Sequence, residues 1–318
     1  MSIQNNSSIF EDIRYQFNYG TMTNRLIIVN VAVFFVLVVL KLFTSLFQVP
    51  FYDGIVEFFM APSSIANLVW KPWSLVSYMF LHEELFHILF NMIIFYVFGR
   101  ILNDFIGNRK ILPLYIYGGL AGAGLYILAY NLLPALVPHS ESSQMLGASA
   151  AVMSIMLATV TLRPNFTLFL VFLGAVRIKY IAAFFLLIDL VSISNLENAG
   201  GHIAHIGGAL FGYFFIKQLQ AGNDWSLGFN NMIDNLSASF NKEPKIVYKN
   251  ENFEKEQKKK KKKAEKRRAK TSSKANNTFY GSSQQDRIDH ILDKISESGY
   301  DSLTKEEKEF LFTIKRDD

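Results

Sequence analysis

Half of the 318 residues are hydrophobic, 14% are aromatic, and the formal net charge is +5. Apolar residues on that scale, gathered into long blocks, exclude an ordinary water-soluble globule and require a polytopic membrane protein. Cysteine is absent, which excludes a disulfide framework, a thiolate metal site and a thiol nucleophile.

Residues 1–25 are mostly polar and lack the small-residue cleavage site of a removable signal peptide, so they are predicted to be a cytoplasmic segment ahead of a retained anchor. That anchor is the apolar run 26–49, and further runs follow at 81–98, 111–133, 145–162, 180–194 and 201–216. With about 20 residues to a crossing, the sequence predicts an all-α bundle of six transmembrane helices over residues 26–220. The stretch 166–176 is apolar too, but Arg177 and Lys179 interrupt it before it reaches the length of a span. Residues 221–282 read as a polar, lysine-rich linker. In 283–318, Ser283 with Asp286 and Thr304 with Glu307 each fit a helix-start signature. Apolar stripes follow them at Ile288, Ile291, Leu292 and Ile295, and at Phe310, Leu311 and Ile314, which predicts a small helical hairpin.

Loop charge sets the orientation. Arg14, Arg25, Arg100, Arg109, Lys110, Arg163, Arg177, Lys179 and Lys217 fall on one side of a six-span chain, and the positive-inside rule makes that side the cytoplasm. Both termini are then cytoplasmic, in an inner or plasma membrane. Asp53, Glu57, Glu83, Glu84, Glu141 and Glu197 fall on the opposite side. The basic block "KEQKKKKKKAEKRRAK" reads as a partner of anionic lipid head groups or, with equal weight, as a solvated linker; nucleic acid is not expected.

Within this apolar background a few polar residues need a reason. Ser149, in "QMLGASAAVMSIM", and His205, in "GHIAHIGGALFG", are each predicted four residues inside the outer end of a span, at a shared depth of about 6 Å. A serine among small residues is commonly only a packing device. Here Ala204, Gly208 and Gly212 repeat every fourth residue, a stripe that lets helices approach closely, and Gly147, Ala148 and Ala150 offer a matching surface. An imidazole able to take a hydroxyl proton near neutrality then makes acyl transfer chemically accessible. His87 and Asn91 stand four apart on one helical face and are candidate donors to an oxyanion, with the Ser149 backbone N–H. His82 and His202 joining His87 and His205 around zinc is the competing reading, but it leaves the serine unexplained, so no metal and no cofactor are expected. Asp189 could serve as a third triad member, but nine residues into its span it is placed nearer mid-membrane and assigned to helix packing; His202 is assigned to the water boundary and His139 to a solvated loop.

The motifs "HILFN", "GAS" and "AHIGGALFG", in that order on the second, fourth and sixth spans, resemble the rhomboid family of intramembrane serine proteases over residues 70–217. The resemblance implies a six-helix bundle that cleaves transmembrane protein substrates with a Ser-His dyad. It implies Ser149 as nucleophile, His205 as general base, and His87 and Asn91 as oxyanion donors. It also implies a partly membrane-embedded first outer loop over residues 49–80. Ala150, Ser74 and Met153 depart from the family pattern, which has glycine after the serine, arginine after the loop tryptophan and, in some members, an aromatic ring near the histidine. The alternative from another class is a non-catalytic rhomboid-like protein that binds transmembrane helices.

Overall fold

A computed structural model describes residues 8–194, 196, 198–240, 284–298 and 302–314 of the chain. It divides into two units, Met1–Asn241 and Lys242–Asp318.

The first unit is mostly helical, and its helices start where local chemistry starts them. α1 (Ile9–Tyr19) opens on a reciprocal cap: the Glu11 N–H donates to the Ser8 hydroxyl while the Ser8 N–H donates to the Glu11 carboxylate. α2 (Met22–Phe47) begins at Met22 rather than at residue 26, because Thr21 accepts from the Asn24 N–H at 3.3 Å. The following loop is itself folded into α3 (Tyr52–Phe59), β1 (Ala61–Pro62), α4 (Ile65–Trp70) and α5 (Ser74–Ser77). α6 (Leu85–Ile106) lies later than the predicted 81–98, since His82, Glu83 and Glu84 stay in extended loop ahead of it. α7 (Ile111–Leu132) matches its prediction closely.

β2 (Gln144–Met145) pairs antiparallel with β1, setting Met145 opposite Ala61. That extended backbone is why α8 (Ser149–Leu162) starts at Ser149 and not at residue 145. The apolar stretch 166–176 is not an incomplete span but a hairpin of β3 (Thr167–Leu170) and β4 (Gly174–Arg177). Gly174, at φ +70°, makes its turn, and the apolar tip Val171, Phe172 and Leu173 is exposed. α9 (Ile178–Ile193) and α10 (Ala199–Gln220) complete the bundle. α11 (Ser226–Phe240) then forms where the sequence predicts linker; Lys110 reaches Asp224 just before it at 3.3 Å, and Arg109 pairs with Asp234 on it.

Among the described residues, three helical stretches are long and apolar enough to cross a membrane: Met22–Phe47, Leu85–Ile106 and Asn108–Leu132. α8, at 14 residues, rises only about 21 Å, short of the ~30 Å of a hydrocarbon core. It is instead the buried centre of the unit, with Ala150, Ala151, Ile155, Met156 and Ala158 almost fully covered. The lipid-like surface lies outside it, in exposed Phe35, Phe43, Phe86, Phe90, Phe184 and Leu187. The small-residue stripe of α10 faces α8: a Cβ on Gly208 would sit 2.0 Å from the Ala150 carbonyl oxygen, and one on Gly212 would sit 2.1 Å from that of Ser154. These backbones are in contact, with no room for side chains between them.

The second unit holds α12 (Gln284–Ser298) and α13 (Lys305–Ile314). Ile291 and Leu303 are buried, and the Lys294 ammonium donates to the Glu307 carboxylate at 2.7 and 2.8 Å. Thr304 and Glu307 cap α13 reciprocally. Ser283 and the lysine-rich block lie outside the described residues.

Candidate active site

Ser149 is the first residue of α8 and is half-buried. The N–H groups of Ser149, Ala150 and Ala151 have no acceptor within the helix, so they and the helix dipole present positive potential at its start. The turn into this helix depends on Gly147 at φ +120°, whose N–H donates to the Tyr78 carbonyl at 2.9 Å. His82 is fully buried beneath it, and its Nε2 accepts from the Ala148 N–H at 3.3 Å. Burial first, and then the neighbouring His87 ring, push the His82 pKa down to about 4, so it stays a neutral acceptor. His82 is therefore a strut of the loop rather than part of a histidine cluster around the serine.

A cavity of about 650 Å³ opens over this helix end, and Ser149, His205, His87, Glu83 and Glu84 line it. The two exposed glutamates put charge on its wall, as a site that must admit water requires. The Tyr52 hydroxyl donates to Glu83 at 3.3 Å; burial and that carboxylate push the phenol up to about 12, so it remains a donor. His87 lies directly across Gly147: a Cβ there would be 3.2 Å from its Nε2 and 3.7 Å from the Ser149 hydroxyl oxygen. Asn91 is buried one turn along α6, donates to the His87 carbonyl at 2.9 Å, and is not on the cavity wall.

The residue on His205 is Asp189, for which the sequence favours packing over a place in a triad. Asp189, 4% exposed, accepts from His205 Nδ1 at 2.8 Å and from His202 Nδ1 at 2.8 Å on the same oxygen, Oδ1. Counted from Ile178, Asp189 looks deep in the membrane. α9 runs towards the start of α10, however, and from that end Asp189 is only about one turn in. His202 accordingly sits on Asp189 rather than at a water boundary. The signal that could have found the pair was the rarity of a carboxylate in an apolar span, together with a depth count from both ends.

Two of the three departures from the family pattern, Ala150 and Ser74, have local answers. The Ala150 methyl is directed at α7, where a Cβ on Gly122 would lie 2.6 Å from it; glycine at 122 makes the space. Ser74 is fully buried and donates to the Lys71 carbonyl at 2.6 Å. The same loop is held by Trp73 Nε1 on the Phe58 carbonyl at 2.9 Å and by the Ser77 hydroxyl on that of Phe59 at 2.8 Å.

The family model of the Rhomboid domain matches residues 69–220, and a second, described as a family of unknown function (DUF6576), matches 282–312. Similar proteins include "RHOMBOID-like protein 12, mitochondrial" of Arabidopsis thaliana, 31% identical over 144 residues, 43% of each chain. "Presenilin-associated rhomboid-like protein, mitochondrial" of Homo sapiens is 27% identical over 145 residues, 43% of this chain and 35% of its own length. "RHOMBOID-like protein 6, mitochondrial" of Arabidopsis thaliana is 26% identical over 181 residues, 52% of this chain and 54% of its own. The matched stretch thus spans roughly a third to a half of these relatives.

Proposed function

Since the chain is a member of the rhomboid family and an integral membrane protein, we propose that it is an intramembrane serine endopeptidase that cuts transmembrane protein substrates. The observation that carries this reading is that Ser149 and His205 line one cavity while the His205 Nδ1 is engaged by a buried carboxylate. With Asp189 accepting the Nδ1 proton, His205 carries its lone pair on Nε2, the tautomer of a general base. Nε2 takes the Ser149 proton as the hydroxyl oxygen attacks a substrate carbonyl. The negative oxygen that forms is met by the N–H groups opening α8 and by His87. The imidazolium returns the proton to the departing amine, and water from the cavity repeats the sequence on the acyl-enzyme. Asn91, whose amide donates to the His87 backbone carbonyl from one turn along α6, would have to turn towards the cavity to act as a further donor to the oxyanion.

A substrate helix hides its carbonyls in its own hydrogen bonds, so it must unwind locally to be cut, which favours substrates with helix-weakening residues near the cleaved bond. The basic loops support a six-span arrangement in which α8 is enclosed by its neighbours and α9 stands at the edge of the bundle, with both ends at the cytoplasmic face of a cell membrane. The non-catalytic alternative rested on Ala150 and Ser74, and both have space and partners in this fold.

The test is cleavage of a reconstituted transmembrane substrate. Ser149→Ala and His205→Ala are each expected to lower the rate by about 10⁴-fold or more. A fluorophosphonate is expected to label the unaltered chain at Ser149. Undiminished cleavage in both variants sinks the assignment.

A further inference from the structure

Asp189, His202 and His205 form a ligand set as well as a hydrogen-bonded group, and we propose that they bind one Zn²⁺ ion that switches the peptidase off. The regulatory half of this inference rests on the peptidase reading; the binding half does not. Two imidazoles and a carboxylate are a donor set zinc accepts, with a fourth position left for water. Their ligand atoms lie within 4.8 Å of one another, and both histidine nitrogens are 2.8 Å from Asp189 Oδ1. A tetrahedral zinc with ligands at about 2.0–2.1 Å separates them by about 3.3 Å, so each nitrogen must withdraw about 0.5 Å from Asp189 Oδ1 while the widest pair, within 4.8 Å, draws in. His202 and His205 stand three apart on α10 and converge on one side of it, while Asp189 comes from α9. The side chains of His202 and His205 are 19% and 22% exposed, which gives an ion access without unfolding.

The switch follows from proton placement. In the metal-free group each Nδ1–H donates to the carboxylate, and His205 Nε2 is a base. Zinc takes the Nδ1 lone pair of the other tautomer, so the proton of the neutral ring resides on Nε2 and the ion replaces it at the carboxylate. His205 then has no lone pair to offer Ser149. No net proton need leave the site, and one set of atoms serves either the ion or the catalytic relay. His202, for which the peptidase mechanism has no use, thereby gains a role: it is the ligand that makes a weak two-donor site into a three-donor one.

The experiment uses the full chain, purified in detergent with an affinity tag that contains no histidine, and Zn²⁺ itself as probe. Binding is measured by competition with a chelating dye on the unaltered chain, Ser149→Ala and His202→Gln, all checked for monodispersity. His202→Gln keeps a side chain able to hydrogen-bond Asp189 but removes a strong ligand. The first two proteins are expected to bind one equivalent, and His202→Gln to bind at least tenfold more weakly. Saturating zinc is expected to slow fluorophosphonate labelling of Ser149 at least tenfold in the unaltered chain, reversibly on chelation. His202→Gln, compared with its own zinc-free rate, is expected to need at least tenfold more zinc. Absence of stoichiometric zinc on both the unaltered chain and Ser149→Ala, or equal affinity in His202→Gln, overturns the site. Tight zinc that leaves labelling unslowed overturns the switch. If the unaltered chain is not labelled even without zinc, the peptidase reading fails and the switch with it, while binding to Ser149→Ala still stands or falls alone.

Discussion

The seam between α8 and α10 and the hairpin of α12 and α13 are both helix pairs, held together in opposite ways. At the seam, Gly208 and Gly212 lie against the carbonyls of Ala150 and Ser154, so contact is backbone on backbone. In the hairpin, burial is confined among the described residues to Ile291, Leu303 and the Glu307 side chain, and the ties include the Lys294–Glu307 ion pair, the Thr304 cap and the Arg287 guanidinium 4.1 Å over the Phe310 ring. The difference follows from solvent. Lipid supplies no hydrophobic force between helices, so close packing must hold the seam. The polar hairpin sequence belongs to water, where a small core must be supplemented by charge and caps. The seam should therefore respond to volume and not to salt, and the hairpin the reverse.

The largest effect is expected from Gly208→Val. Its Cβ would be 2.0 Å from a backbone oxygen, which cannot move aside as a side-chain end can. A loss of about 3 kcal/mol or more is expected, with cleavage lost as Ser149 and His205 separate. The control is Gly124→Ala on α7, where an added Cβ meets nothing within 4 Å. It should shift stability by no more than about 0.5 kcal/mol, and thermal unfolding in detergent compares the two. Equal effects at both positions would break the contrast.

Next comes Asp189→Asn, which keeps the volume and changes the polarity. An amide can present its NH₂ to His205 Nδ1, which places the ring proton on Nε2, the wrong nitrogen for a base. The expected loss is about 10²-fold in kcat with KM little changed, while Gly208→Val acts on folding. A fall in unfolding temperature as large as that of Gly208→Val would make Asp189 a packing residue after all.

This pair of variants also marks what the sequence could and could not disclose. Ser149, His205 and the glycine stripe were legible because each is a local pattern, and a four-residue period places small side chains on one helix face whatever the surroundings. The helix starts were less so: Thr21 and the β1–β2 pairing move α2 and α8 by a few residues, and the second of these is a long-range contact between residues 61 and 145. Asp189 was misplaced because its depth was counted from one end of a helix whose direction relative to α10 was not used. Hairpin β3–β4 reads in the sequence as a broken span because apolarity alone does not distinguish an exposed apolar strand from a short helix.

His82 brings the comparison down to a single acceptor. Its folded pKa of about 4 lies below the ordinary 6.5, so between those values the unfolded chain binds the proton and the folded chain does not. Stability is therefore full above pH 6.5 and declines as pH falls, by about 2 kcal/mol at pH 5. His82→Gln retains an oxygen to accept from Ala148 and does not titrate. The difference in unfolding temperature between the two chains should shrink or reverse from pH 7.5 to pH 5, and a constant difference would remove His82 from the acid response.

The smallest effect belongs to the hairpin. Burial alone would raise the Glu307 pKa, but the hydrogen bonds and charge of Lys294, with the Thr304 N–H, outweigh it and hold the carboxyl below its ordinary range. A depressed folded pKa means that the stabilisation is complete above the unfolded value of about 4.5 and is lost as pH falls through the folded one. At neutral pH, Glu307→Gln should cost about 1 kcal/mol after solvent screening, read as roughly fivefold faster amide exchange in residues 284–298 and 305–314 of the full chain. Because the pair is partly open to solvent, 0.5 M salt should narrow the gap between the variant and the unaltered chain. The Gly208→Val deficit should be indifferent to the same salt, since no charge takes part in it. A hairpin that ignored salt while the seam answered to it would invert the assignment of solvents to the two regions.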